Sequence, residues 1–263
     1  MSFQSNQEQE LETALDAALE AGYRHIDTAT RYGNEHVIGR VLKRWLQEGK
    51  VQREDLFITT KLPLWSMRPA DVPGALNESL SKLQLGYVDL YLVHMPFALV
   101  RNGLDADGHV KPGSVDKTTD HVAIWKALET EHQAGRARNL GVSNFNETQI
   151  ARILNNSVIK PAVLQVELHL YHQQKPLVAF CEQNNITVTA YSPLGSPGSK
   201  WNSKYSGKEL PDLLGVPTVK EIAARYNKTA AQVLLSHTAR KGIVIIPKST
   251  KPHRIRENID VSS

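Results

Sequence analysis

The chain has 263 residues, 41% of them hydrophobic and 22% charged, with a net charge of +4. That suits a soluble globular protein with a sizeable core, built as one large domain or two small ones. No apolar run reaches the roughly 18 residues that a membrane helix needs. The polar N-terminus MSFQSNQEQELETALDAAL is neither a secretory nor an Arg-rich transit signal. A single cysteine, Cys181, excludes an intramolecular disulfide, and a reducing cytoplasm is the expected location. Lys and Arg are scattered among 27 acids without a basic, aromatic-laced cluster. Neither nucleic acid nor a membrane is therefore expected as a partner, and the charge reads as solvated surface with a share left for an anionic cofactor.

Taken in chain order, short β-branched runs alternate with amphipathic helical stretches. Residues 8–21 read as a helix with Leu11, Leu15, Ala18 and Leu19 on one face, and 23–27 as a strand. A helix over 35–47 carries Val37, Ile38, Val41, Leu42 and Trp45, followed by a strand over 56–61 and a helix over 69–83. The segment 88–94, within DLYLVH, is a strand with a nearly continuous apolar core. Then come a helix over 120–134, a strand over 138–142, a helix over 147–154, a strand over 163–167, a helix over 175–183 and a strand over 187–191. Helices near 218–226 and 230–240 and a strand over 243–246 close the series.

This alternation predicts parallel β/α units, and its regularity over one domain's length favours a closed (β/α)8 TIM-type barrel in a single domain, 1–263. A Rossmann sheet is the alternative, but no G-x-G-x-x-G follows an early strand. The irregular stretches 96–117 and 192–217 both follow strand ends, where barrels place active-site loops.

Polar side chains at the C-terminal ends of such strands are the candidates for chemistry. Asp27 ends YRHID, Lys61 ends LFITTK and His94 ends LYLVH, while Tyr32 lies just beyond Asp27. Taken singly, the Asp is a cap, the Lys a solvated end, the His a satisfied structural group and the Tyr a loop aromatic. Together they supply what carbonyl reduction needs besides a hydride. A free phenol, with a pKa of about 10, is a weak proton donor near neutrality, and a nearby ammonium favours its phenolate. Lys61 supplies that ammonium, Asp27 pins it, and a neutral His94 donates to the carbonyl oxygen and orients it. His169 and His172 in ELHLYH lack a further partner at ligand spacing and read as structural, so no metal is expected. Cys181 in AFCEQ reads as buried and inert. The GSPG at 195–198 lacks the Lys-Ser/Thr pair of a P-loop.

The chain resembles the aldo-keto reductase family. GYRHIDTATRYGNEHVIG (22–39), RNLGVSNF (138–145) and IPKSTKPHRIREN (246–258) look like its three signatures, and the spacing of Asp27, Tyr32, Lys61 and His94 agrees with its catalytic tetrad. The resemblance implies an NADPH-dependent reductase of aldehydes or ketones, a monomer with a small-molecule substrate. Tyr32 would be the proton donor, Lys61 and Asp27 its tuning pair and His94 the carbonyl orienter. Ser143, Asn144 and Gln165 would hold the nicotinamide carboxamide, and Tyr191 would stack on the ring. Ser192, Leu194 and Ser196 would follow the pyrophosphate. Lys248, Ser249 and Arg254 would hold the 2′-phosphate, with Glu257 and Asn258 on the adenine. Where many members carry tryptophans, this chain has Pro63 and Met95, so Trp65 and Met95 join His94 as substrate-binding candidates. Against the family pattern, the helix begins almost at once and the chain stops at Ser263, so a barrel lacking its first strand and C-terminal loop, and weakly active or inactive, is an expectation alongside the enzyme. The competing readings are an NADPH-binding scaffold without turnover and a Schiff-base aldolase using Lys61.

Overall fold

Of the face predicted for the first helix, Leu19 is buried and Leu11, Leu15 and Ala18 are half-buried in α1 (Ser5–Glu20), at the start of a computed structural model that describes residues 5–105, 109–196 and 212–261. Ala14, Ala17 and Leu19 are its most buried positions. Gly22, at φ 99°, lets the chain reverse, and the Tyr23 N–H closes the helix on the Ala18 carbonyl at 3.0 Å. This use of Tyr23 shortens the predicted strand, and β1 runs His25–Asp27. α2 (Glu35–Gln47) buries Val37, Ile38, Val41, Leu42 and Trp45, the stripe that helical spacing predicts. Each such side chain contributes about 1.5–3 kcal/mol on burial. β2 (Phe57–Leu62) follows. The helix predicted over 69–83 divides into a 3-10 turn, Pro69–Asp71, and α3 (Val72–Leu83). Pro69 and Pro73 lack N–H groups and have fixed φ, which suits two first turns better than one uninterrupted helix.

β3 (Val88–Val93) buries all six of its residues, as a strand covered on both faces must. The loop after it folds back as a small antiparallel hairpin of β4 (Ala98–Leu99) and β5 (Val115–Asp116), fastened by an Arg68–Asp116 ion pair at 2.5 Å. α4 (His121–Gln133), β6 (Ala137–Ser143), α5 (Glu147–Leu154) and β7 (Val163–Glu167) come next. β1, β2, β3 and β6 are parallel neighbours in that order. Where β2, β3 and β6 begin, the Tyr87 ring lies between the Arg53 and Arg138 guanidinium groups, 3.8 Å from each. Asp89 accepts from Arg53 at 2.7 Å and from the Ile58 N–H at 2.9 Å, which fixes the register of β2 on β3.

The chain divides into two compact units, Met1–Leu164 and Gln165–Ser263. The second holds the remainder of β7, then α6 (Lys175–Gln183), β8 (Thr187–Tyr191), α7 (Pro217–Arg225), α8 (Ala230–Ala239), β9 (Val244–Ile245) and α9 (Pro252–Ile259). β8 and β9 pair in parallel. Leu213, Val219 and Leu234 form a core cluster here, with Leu194 packed on it. Most of the 192–217 loop, including Pro197 and Gly198 of GSPG, lies outside the described residues. Among the described residues no helix is long and apolar enough to cross a membrane.

One glycine shows how tightly α2 meets α3. A Cβ on Gly39 would stand 2.2 Å from the Lys82 carbonyl oxygen and 2.8 Å from the Leu83 carbonyl carbon, both backbone atoms at the end of α3. Gly39→Ala should therefore force the helices apart and destabilise by about 1–3 kcal/mol, despite alanine's better helix propensity. Thermal melts of the two proteins check this, and an unchanged or raised Tm would contradict it.

Candidate active site

The four strand-end candidates converge in the first unit. The Lys61 side chain is fully buried, and its Nζ donates to Asp27 Oδ1 at 2.5 Å, to the Thr28 carbonyl at 2.9 Å and to the Tyr32 hydroxyl at 3.5 Å. Those three acceptors match the three hydrogens of an ammonium. The pairing arises because β1 and β2 are parallel, so Asp27 and Lys61 leave neighbouring strands at the same end. Tyr32 sits on a 3-10 turn, Thr30–Tyr32, closed by Gly33 at φ 68°. It is 42% exposed, so the phenol stands at the interface between a buried ammonium and solvent.

His94 follows β3 and is buried, its ring edge-on to Tyr32 at 5.6 Å between centroids. Burial, with Lys61 and then Arg31 adding positive charge, pushes its pKa down from 6.5 to about 3. The imidazole is therefore neutral at ordinary pH, with one N–H to donate. Nδ1 is buried with no partner among the described residues, so this polar group awaits a ligand or remains a net cost.

Ser143 and Asn144 lie where β6 ends. Asn144 adopts φ 64°, and its Nδ2 donates to the His94 carbonyl at 3.0 Å, to Met95 Sδ at 3.0 Å and to Ser143 Oγ at 3.1 Å. Met95 is thus a partner of Asn144 as well as a lining candidate. Trp65 is half-buried in the 3-10 turn Leu64–Ser66 that follows β2. His121, at the start of α4, meets the Pro96 carbonyl through Nε2 at 2.8 Å and packs against Phe145. Reading strand ends missed both the Thr28 carbonyl on Lys61 and this histidine. A backbone oxygen has no sequence signal, and His121 lies on a helix rather than a strand.

The remaining candidates belong to the second unit. Gln165 is buried on β7, and Tyr191 ends β8 with its carbonyl accepting from the Leu168 N–H at 3.3 Å. Ser192 (φ 50°), Gly195 (φ 72°) and Ser196 (φ 49°) bend the following turn, and the two serine hydroxyls meet at 2.7 Å. Lys248 and Arg254 are exposed on either side of the start of α9, and neither has an ion-pair partner among the described residues. Ser249 Oγ accepts from the Lys251 N–H at 3.1 Å. Glu257 offers its carbonyl to Gln232, and Asn258 is buried. Two unneutralised cations beside a helix N-terminus fit the phosphate of a dinucleotide. His169 lies 3.5 Å from Glu167 through Nε2 and forms a bridge with His172, while Cys181 is fully buried.

Parallel β/α units that carry Tyr32, a buried Lys61–Asp27 pair and a neutral His94 make an α/β protein with an acid–base cluster at its strand ends. The chain belongs to the aldo/keto reductase family, whose family model matches residues 1–263. It is 44% identical over 248 residues to the Arabidopsis thaliana aldo-keto reductase family 4 member C11, covering 94% of this chain and 75% of that protein. It is also 44% identical over 257 residues to the Bos taurus aldo-keto reductase family 1 member A1, covering 96% and 77%. Among solved structures, a Bombyx mori aldo-keto reductase in complex with NADP superposes with a TM-score of 0.85 at 40% identity, over 100% of this chain and 80% of that one. The Schistosoma japonicum aldose reductase gives 0.85 at 39% identity, over 96% and 79%. The α/β class read from strand alternation is that of these relatives.

The depressed pKa of His94 has a thermodynamic consequence. Between about pH 6.5 and 3 the unfolded chain holds a proton at this position that the folded chain does not. The associated stability is fully present above pH 6.5 and is lost as pH falls toward 3. His25, also held down by burial, acts in the same sense. His94→Gln should therefore flatten the acid fall of Tm between pH 6.5 and 4 relative to wild type, and parallel curves for the two proteins would remove His94 from the effect.

Proposed function

We propose that this protein reduces aldehyde or ketone carbonyls to alcohols, with NADPH as the hydride source and Tyr32 as the proton donor. The observation that carries the reading is the buried Lys61 ammonium shared between Asp27 and the Tyr32 hydroxyl beside a neutral His94. The cofactor, when bound, supplies the hydride. The protein's own part is to place the carbonyl, polarise it and deliver a proton to its oxygen. His94, neutral and beside the tyrosine, donates an N–H to the carbonyl oxygen and orients it. Tyr32 gives its proton to the same oxygen, and the negative charge left on the phenol falls beside Lys61. Asp27 and the Thr28 carbonyl hold the ammonium so that it need not reorganise as that charge develops. Trp65 and Met95 line the approach for a largely apolar substrate.

By the family resemblance, the nicotinamide contacts would fall to Ser143, Asn144 and Gln165 on its carboxamide and Tyr191 on its ring. Ser192, Leu194 and Ser196 would follow the pyrophosphate, since a left-handed turn with two hydroxyls is suited to an anion. Lys248, Ser249 and Arg254 would take the 2′-phosphate, with Glu257 and Asn258 on the adenine. The unpaired state of both cations supports NADPH over NADH, because only the former brings the charge that would neutralise them.

Tyr32→Phe should keep its affinity for NADPH and lose turnover by about a hundred- to ten-thousandfold, the range that general acid catalysis covers. Cofactor titration and steady-state rates with a panel of aldehydes, on one preparation, test this. Near-normal turnover would remove Tyr32 from the mechanism, and cofactor binding without turnover in the wild type would favour a scaffold role.

Arg254→Met should weaken NADPH by about tenfold or more while leaving NADH nearly unchanged, because a charge-assisted bond to the phosphate contributes about 1.5–3 kcal/mol. Equal losses for the two cofactors would place Arg254 on a part they share.

A further inference from the structure

We infer that Thr30 is a positioning residue for the proton donor: its hydroxyl locks the turn that carries Tyr32 onto the strand that carries Lys61, with Ser79 as its buried anchor. The inference rests on the reading of Tyr32 as proton donor.

The phenol is 42% exposed, so packing against His94 and Lys61 holds it on part of its surface only, and its hydroxyl contact with Lys61 is long, at 3.5 Å. The Tyr32–Lys61 distance is instead set by the backbone of the segment 28–34. That segment is fixed at its start, where the Thr28 N–H bonds the Thr59 carbonyl at 2.9 Å, and it is closed on itself by the Thr28 hydroxyl on Asn34 Oδ1 at 2.8 Å. Between those points the Thr30 hydroxyl ties the Thr30–Tyr32 turn to two neighbouring elements, in addition to the contact of the Tyr32 hydroxyl with Lys61. The Thr30 hydroxyl reaches the Lys61 carbonyl at 3.3 Å and Ser79 Oγ at 2.9 Å.

The proton inventory orders this chain. A carbonyl oxygen only accepts, so the Thr30 proton goes to Lys61, and the Ser79 hydroxyl must donate to Thr30. Ser79 is fully buried on α3 among Val72, Ala75, Leu76, Leu80 and Leu83. A hydroxyl on such an apolar face is costly unless bonded, and among the described residues its bond is to Thr30. A single side chain thereby joins α3, the Tyr32 turn and the backbone of Lys61 itself. The groups facing the phenol are Lys61 and Asp27 from β2 and β1, His94 after β3, and the adjoining Arg31. Proton transfer is sensitive to displacements well below 1 Å, so loosening this tether acts on the reaction and not only on the fold.

The test compares Thr30→Val, which keeps the shape and deletes the hydroxyl, with Thr30→Ser, which keeps the hydroxyl. Thr30→Val should leave NADPH affinity and KM for the carbonyl near wild type and lower kcat by about fivefold, the rate factor of one neutral hydrogen bond. The alkaline limb of its kcat–pH profile should move to higher pH, since a less closely held ammonium favours the phenolate less. Thr30→Ser should restore both the rate and the profile. Wild-type kcat and profile in Thr30→Val would overturn the inference. So would equal losses of kcat and Tm in the two variants with an unmoved profile, the mark of a purely structural role. Should Thr30→Val fail to fold, Ser79→Ala decides: a smaller fall in kcat with the same displacement of the profile supports the tether, and a wild-type profile refutes it. Tyr32→Phe is assayed alongside. If it retains turnover, the proton-donor reading itself fails; if it is inactive while Thr30→Val behaves as wild type, only the tether fails.

Discussion

Everything around the first unit's strand ends answers to one constraint: an ammonium group with no access to water. Lys61 is fully buried, and a lone charge in that position would cost several kcal/mol. Asp27 compensates by charge and the Thr28 carbonyl by dipole, which leaves one N–H directed at Tyr32. The parallel pairing of β1 and β2 exists at a register that makes this possible, with Asp27 opposite Thr59 and Lys61 two residues further on. His94 is neutral chiefly because it is buried, and the same ammonium adds to that in disfavouring an imidazolium. Asp27, Lys61, Tyr32 and His94 are thus one electrostatic unit rather than four separate placements.

That unit was legible in the sequence because each strand-end member is a charged or titratable residue closing a β-branched or apolar run: Asp27 after Ile26, Lys61 after LFITT, His94 after LYLV. Element bounds were legible where side chains enforce them. α5 starts where predicted because Asn146 and Gln149 form a reciprocal cap, and α8 because Thr229 and Gln232 do the same. Where the backbone decides, the sequence was mute. Tyr23 leaves its strand to close α1, and the β4–β5 hairpin uses strands of two residues, too short for any alternation to register. The left-handed serines 192 and 196 also have no signature, since serine, unlike glycine or asparagine, does not announce positive φ. Thr30 and Ser79 are 49 positions apart, and only the fold makes them neighbours.

The second unit presents the complementary problem: positive charge without a protein partner. Lys248 and Arg254 stay in solvent at the start of α9, where helix dipole and side chains share one sign. Such an arrangement is mildly unfavourable by itself and becomes favourable when an anion arrives. The two units therefore solve opposite tasks, one neutralising a charge internally and the other holding charge in reserve.

Asn144 imposes a limit on how the end of β6 can change. Its backbone sits at φ 64°, which most side chains resist, while the two amide hydrogens are shared among the His94 carbonyl, Ser143 Oγ and the Met95 sulfur. A replacement must tolerate the left-handed conformation and also present an N–H at the same short reach, which asparagine does. Met95 carries no such double burden, because its sulfur is one acceptor of three and the weakest. Substitution can therefore run through position 95 while position 144 stays locked, and the side chain after His94 can be exchanged without moving the anchor behind it.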